Sequence, residues 1–146
     1  MGSLRDARRA KADSETIVFA MIETQEGLAN LDAIAATPGL DALYIGPADL
    51  SYALGLPPKA DNTDPLHMAT CNRILEAGHR NGKKVAMHCA SAAFAAGAIE
   101  RGFDMVMLTS DFHSLIAGAR KQLEDLKAAV AGKTVAAAKP VSSSGY

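Results

Sequence analysis

Two carboxylates stand where apolar runs stop: Glu23 in Met21-Ile22-Glu23-Thr24, and Asp49 in Gly46-Pro47-Ala48-Asp49-Leu50-Ser51. An acid that closes a strand beside a tight turn lies at the mouth of a parallel sheet, where the loops following the strands gather. With one helical segment between them, the two acids can land on adjacent strands and share one hard, oxygen-preferring cation. Such a cation takes one or two protein carboxylates and fills its other positions with water and substrate oxygens. Acids at strand ends also cap helices or pair with Lys and Arg, so residue type alone leaves those roles open. Just after Gly46-Pro47, the backbone N–H groups of Ala48 and Asp49 begin a helical turn and can receive a carboxylate. A metal beside such a nest suits a 2-oxoacid, whose carboxylate and keto oxygen chelate together.

The remaining reactive side chains give weaker signals. His88 ends a strand and points into the same mouth, where it either touches substrate or hydrogen-bonds a loop. His79 lies near a helix end, where a cation opposes the dipole, and His67 and His113 fall early in helices and read as surface residues. Cys89 follows His88, but consecutive strand residues face opposite sides, which argues against a Cys-His dyad. Cys71 and Cys89 are too few and too far apart for a disulfide framework or a zinc knuckle; they read as packed thiols in a reducing cytoplasm. Asp32 and Asp41 read as cap and turn residues, and Ala90 to Ala98 as a tightly packed helix.

The elements that must position the acids follow from periodicity. A run rich in Ala and Arg over 4–12, with Arg5, Arg8 and Arg9 solvating it, predicts a first helix. Thr16 to Ile22 is short and apolar on both alternations and predicts a buried strand. Thr24 caps a helix to about Ala36, which Pro38-Gly39 ends, and Ala42 to Ile45 forms the second strand. A helical turn around Leu50 to Leu54 leads into a loop from Gly55 to Asn62 that can cover a site. Asp64-Pro65 opens a helix to about Arg80, stopped by Asn81-Gly82, before strand three at Lys84 to His88. Ser91 caps the next helix, Met105 to Thr109 is strand four, and Asp111 caps a last helix to about Val130. On that helix Lys121, Glu124, Asp125 and Lys127 form a solvated face. Strand–helix repeated four times predicts a parallel sheet with right-handed crossovers. Four such units are half of an eight-stranded barrel, which intact needs about 250 residues.

Composition narrows the classes. The 146 residues, 49% hydrophobic, can bury one core, while a net charge of −1 and 5% aromatic content give neither a basic field nor stacking platforms for nucleic acid. No stretch has the length of a signal-peptide core or a membrane span, so a cytoplasmic location is expected. The domain expectation is a partial barrel over 1–131 and a flexible tail over 132–146.

The stretches Met21-Ile22-Glu23-Thr24, Gly27-Leu28-Ala29-Asn30-Leu31-Asp32, Pro38-Gly39-Leu40-Asp41, Ile45-Gly46-Pro47-Ala48-Asp49-Leu50-Ser51 and Leu54-Gly55 together resemble the HpcH/HpaI aldolase family. The likeness continues through Gly82-Lys83 and Ala98 to Asp104 into Ser110-Asp111, covering roughly residues 4–130. It implies an α/β fold that is the C-terminal half of a (β/α)8 TIM barrel, four parallel βα units, in the phosphoenolpyruvate/pyruvate superfamily. The implied activity is class II cleavage of 4-hydroxy-2-oxoacids to pyruvate and an aldehyde. By the same resemblance Glu23 and Asp49 are ligands of Mg2+, Mn2+ or Co2+, and Gly46, Pro47, Ala48 and Asp49 form the substrate-binding turn, with the amides of Ala48 and Asp49 on the pyruvate carboxylate. The metal would stabilise the pyruvate enolate.

Two departures stand out. Where many members carry Gln two residues before the glutamate, this chain has Met21, which cannot donate a hydrogen bond. The family's catalytic histidine, its acidic partner and a keto-contacting arginine belong to the first half of the barrel, so no catalytic residue is assigned in this chain and the isolated chain is expected to be inactive. The expected partners are a small 2-oxoacid and either a second copy in a homo-oligomer or the missing N-terminal half. Rival readings are a citrate-lyase-β or malyl-CoA-type lyase, which would need a basic cradle for CoA phosphates, and a non-catalytic barrel fragment acting in assembly.

Overall fold

A computed structural model describes residues 11–132, residue 13 excepted. Most of the expected helix over 4–12, with its three arginines, and the tail from residue 133 onward lie outside the described residues. The chain divides into two units, Met1–Thr109 and Ser110–Tyr146.

In the first unit β1 (Phe19–Ile22) is followed by α1 (Gln25–Ala29) and α2 (Leu31–Ala35). Next come β2 (Ala42–Ile45), α3 (Pro47–Ala53) and α4 (Pro65–Arg80), then β3 (Lys84–His88), α5 (Ala92–Glu100) and β4 (Met105–Met107). The four strands form one sheet in the order β1-β2-β3-β4, and all three pairings are parallel. In register, Ile22 pairs with Ile45 and Ile45 with Met87, so strands end level and their following loops open on one edge. Consecutive parallel strands joined by helices are what four adjoining units of a (β/α)8 barrel present.

Caps set the element ends. Thr24 Oγ1 accepts from Gly27 N at 3.0 Å, Asp64 Oδ1 from Leu66 N at 2.8 Å, and Ser91 Oγ from Phe94 N at 3.2 Å. Helix α4 closes in a Schellman turn: Lys83 N donates to Gly78 O and Gly82 N to His79 O, with Gly82 at φ 66°. Only a residue without Cβ enters that region freely. Gly78 also lets α4 lie close on the sheet, since a Cβ there would collide with Val85 Cγ2.

One face of the sheet carries the core. Ile22, Leu43, Ile45, Val85 and Met87 are fully buried against Leu31, Ala35, Cys71, Ile74, Ala77 and Ala98 of the helices. The opposite face corrects the expectation for strand one: Phe19 and Met21 are exposed, because helices cover one side only. The strand is also shorter than expected, starting at Phe19. Nor does one helix run from Thr24 to Ala36. Asn30 ends α1, its side-chain Nδ2 and backbone N–H both donating to Glu26 O, and α2 begins afresh.

The second unit contains α6 (Asp111–Val130). Its N-cap is Ser110, whose Oγ accepts from His113 N at 3.3 Å, rather than the expected Asp111. Lys121 and Asp125 pair at 3.0 Å on the polar side, and Leu115, Leu123 and Leu126 are exposed. Among the described residues no helix is long and apolar enough to cross a membrane.

Candidate functional site

Glu23 follows the last residue of β1 and Asp49 lies in the first turn of α3, which begins directly after β2. Because β1 and β2 are paired neighbours, both acids reach the same edge of the sheet. They line one cleft of about 260 Å³ with Met21, Tyr44, Gly46, Pro47, Ala48, Ala60 and His88. They also border a second, open hollow with Tyr52 and Gln25. A larger hollow of about 610 Å³, lined by Glu76, His79 and Arg101 among others, is built on the second half of α4 and Arg101 and contains neither acid.

Asp49 is close enough for its charge to act on Glu23. Partial burial, and then the charge of Asp49, raise the Glu23 carboxyl above its ordinary value. Among the described residues no lysine or arginine forms an ion pair with either acid. Neither acts as a helix cap, so the alternative roles open at the level of sequence are not used. Gly46 supplies the space: a Cβ there would overlap Glu23 Oε2. Two hard oxygen donors next to a bare backbone, unpaired with any Lys or Arg among the described residues, fit a divalent cation. Among the described residues no third His, Cys, Asp or Glu completes a three-ligand cluster, so the remaining positions would fall to water and substrate oxygens. The N–H groups of Ala48 and Asp49, at the second and third positions of α3, precede the first intrahelical donor, Leu50 N, which bonds Gly46 O at 2.9 Å.

His88 does face the cleft, as its strand-end position predicts, but its partner is not a loop. Its Nδ1 lies 3.3 Å from Tyr44 Oη, which also approaches Met107 Sδ at 3.4 Å. Burial, and secondarily Cys89, push the Tyr44 hydroxyl up, so it stays protonated at neutral pH. Tyr44 was not singled out from sequence; its place two residues before Gly46, on the same face of β2, is the signal that finds it. Cys89 is buried on the other side, away from His88.

Behind the turn the structure corrects the expectation for His67. It is fully buried, not a surface residue, and its Nε2 lies 3.1 Å from Pro47 O. Burial lowers its pKa despite the favourable Pro47 bond, leaving the ring neutral. The same carbonyl accepts from Ser51 Oγ at 2.6 Å, and Asn62 Nδ2 donates to that hydroxyl at 2.9 Å. His79 takes a different part: its Nε2 lies 2.9 Å from Asp104 Oδ2, and Lys84 reaches the other oxygen at 2.7 Å.

Known proteins share this chain's sequence and fold. A family model described as HpcH/HpaI aldolase/citrate lyase matches residues 3–118. The hydroxypyruvate/pyruvate aldolase of Rhizorhabdus wittichii is 40% identical over 116 residues, which are 79% of this chain and 46% of that protein. The 5-keto-4-deoxy-D-glucarate aldolase of Salmonella arizonae is 31% identical over 118 residues, 81% of this chain and 45% of that protein. A crystal structure of a HpcH/HpaI aldolase/citrate lyase family protein from Burkholderia cenocepacia superposes with a TM-score of 0.75 at 28% identity, covering 85% of this chain and 48% of that one. The chain thus spans about half the length of the curated relatives it matches.

Proposed function

The chain belongs to the HpcH/HpaI aldolase/citrate lyase family, and from that premise we propose that it carries the metal- and oxoacid-binding half of a lyase cleaving 4-hydroxy-2-oxoacids to pyruvate and an aldehyde. The observation that carries this reading is the convergence of Glu23 and Asp49 on one cleft with, among the described residues, no cationic side chain paired to either. Held by Glu23 and Asp49, Mg2+, Mn2+ or Co2+ would act as a Lewis acid toward a 2-oxoacid.

The chain's own residues do the rest of the binding. Gly46 leaves room for the Glu23 carboxylate, and the first-turn amides of Ala48 and Asp49 orient the substrate carboxylate by donating to it. Met21, exposed at the cleft wall, gives an apolar surface and no hydrogen bond. Tyr44 and His88 line the cleft beside it as a hydrogen-bonded pair. The acid–base groups are supplied by four further βα units, which also cover the bare sheet face with Phe19, Met21 and Met105. Against a CoA-dependent lyase stands the cleft lining, which among the described residues contains no Lys or Arg to meet the phosphates.

Calorimetric titration with Mn2+ tests the site. The unsubstituted chain binds one ion, and Glu23→Ala and Asp49→Ala each abolish binding; unchanged affinity in both variants removes the assignment. Pyruvate release from a 4-hydroxy-2-oxoacid is expected only when the complementary half is added, and robust turnover by this chain alone rejects the division of labour. Enhanced assembly without any metal uptake favours the non-catalytic reading.

A further inference from the structure

We infer that His67 is a positioning residue, holding the Pro47 carbonyl from behind so that α3 presents Asp49 at a fixed place beside Glu23. The inference rests on reading those two acids as a ligand pair.

The geometry assigns every proton in the chain of contacts. A carbonyl oxygen only accepts, so the proton lies on His67 Nε2, which points at Pro47 O from 3.1 Å. The other ring nitrogen, Nδ1, is then an acceptor, and Cys71 Sγ lies 3.6 Å from it. Burial pushes the Cys71 thiol up to about 12, so the sulfur keeps its hydrogen to donate. On the far side Ser51 Oγ donates to the same carbonyl at 2.6 Å and accepts from Asn62 Nδ2 at 2.9 Å. His67, Ser51 and Asn62 are all buried. His67 of α4 and Ser51 of α3 itself, the latter held by Asn62 beyond the helix, thus converge on one carbonyl located two residues before Asp49. The Ser51 bond is an i→i−4 contact within the helix, whereas the His67 donor comes from another helix and is one that α3 does not need at its first carbonyl. Partners that hydrogen-bond and orient metal ligands typically change metal affinity by about 10–100-fold when removed, and His67 would act in the same sense through the turn that carries Asp49.

The test separates positioning from general stability. Mn2+ affinity, read by the electron paramagnetic resonance signal of free ion, is compared with thermal unfolding for the full chain, His67→Leu, His67→Gln and Ile74→Ala. Glutamine places an N–H near the position of Nε2 and restores the donor, whereas leucine does not. His67→Leu is expected to lose Mn2+ affinity by about tenfold or more, and His67→Gln to stay within about threefold of the unsubstituted chain. Ile74→Ala, a fully buried site on the same helix, lowers the melting temperature without moving affinity. His67→Leu binding as tightly as the unsubstituted chain overturns the inference, as does an affinity loss in Ile74→Ala that tracks its loss of stability. If His67→Leu does not fold, Ser51→Ala decides: weakened Mn2+ binding supports the inference and unchanged binding overturns it. Absence of Mn2+ uptake by the unsubstituted chain is a different result, since it overturns the ligand-pair reading first and this inference with it.

Discussion

Gly46 lies directly under the Glu23 carboxylate: a single Cβ at residue 46 would occupy the place of Glu23 Oε2. The obstructed atom is the end of a flexible side chain, so Gly46→Ala is expected to fold and to push the carboxylate off its position. Mn2+ affinity should fall by about tenfold or more, with the unfolding midpoint little changed. A calorimetric titration showing unaltered affinity would mean that Glu23 is no ligand.

Glu23 itself offers a prediction without metal. Its carboxyl is raised above the ordinary 4.5 by burial and then by Asp49. The folded state therefore binds that proton more tightly than the unfolded state, and ionisation costs stability as pH rises through 4.5 and beyond the folded value. Glu23→Gln should stabilise the chain against urea at neutral pH in EDTA and give no gain at about pH 4, where the carboxyl is largely protonated in both states. Destabilisation at neutral pH would show that the Glu23 charge is satisfied by a partner.

Asp104 runs in the opposite direction. Burial opposes its charge, but hydrogen bonds from Lys84, His79 and Val85 N overcome it and hold the carboxyl at about 2, below its usual 3.8. Its stabilising contribution is complete above the unfolded value and disappears as pH falls from 3.8 through 2. Asp104→Asn should flatten the acid limb of a stability-against-pH curve across that window. An unchanged acid limb would place the acid-sensitive group elsewhere.

Gly78→Ala tests how α4 is seated. The new methyl meets Val85 Cγ2, a fully buried atom with no space to retreat. Overpacking of this kind costs about 1–3 kcal/mol. Urea unfolding should show a lower midpoint at unchanged slope, whereas Gly97→Ala, where nothing lies within 4 Å of the new Cβ, should not.

Local chemistry made much of this architecture readable in advance. Asp64-Pro65 and Asn81-Gly82 bound α4 because a cap, a first-turn proline and a left-handed glycine act within a few residues. The two acids were found because strands of a parallel sheet deliver their ends to one edge. What lay beyond reach depends on layers. The apolar alternation of Phe19 and Met21 is the same whether a second layer covers them or not. His67 is the third residue of α4, a place that reads as exposed until α3 packs behind it and turns Pro47 O toward the ring. The break at Asn30 rests on one side-chain amide competing for Glu26 O, a contest that propensity does not settle.

The buried thiol of Cys71 has a practical bearing on how this protein opens. Only a thiolate is alkylated, and a sulfhydryl held at about 12 in the interior offers almost none at neutral pH. Its labelling by iodoacetamide therefore waits on exposure of the helix layer behind the turn, and the labelling rate becomes a clock for that event. Slowing of that clock on adding manganese would report, from a single sulfur remote from solvent, that an occupied sheet edge tightens the layer beneath it.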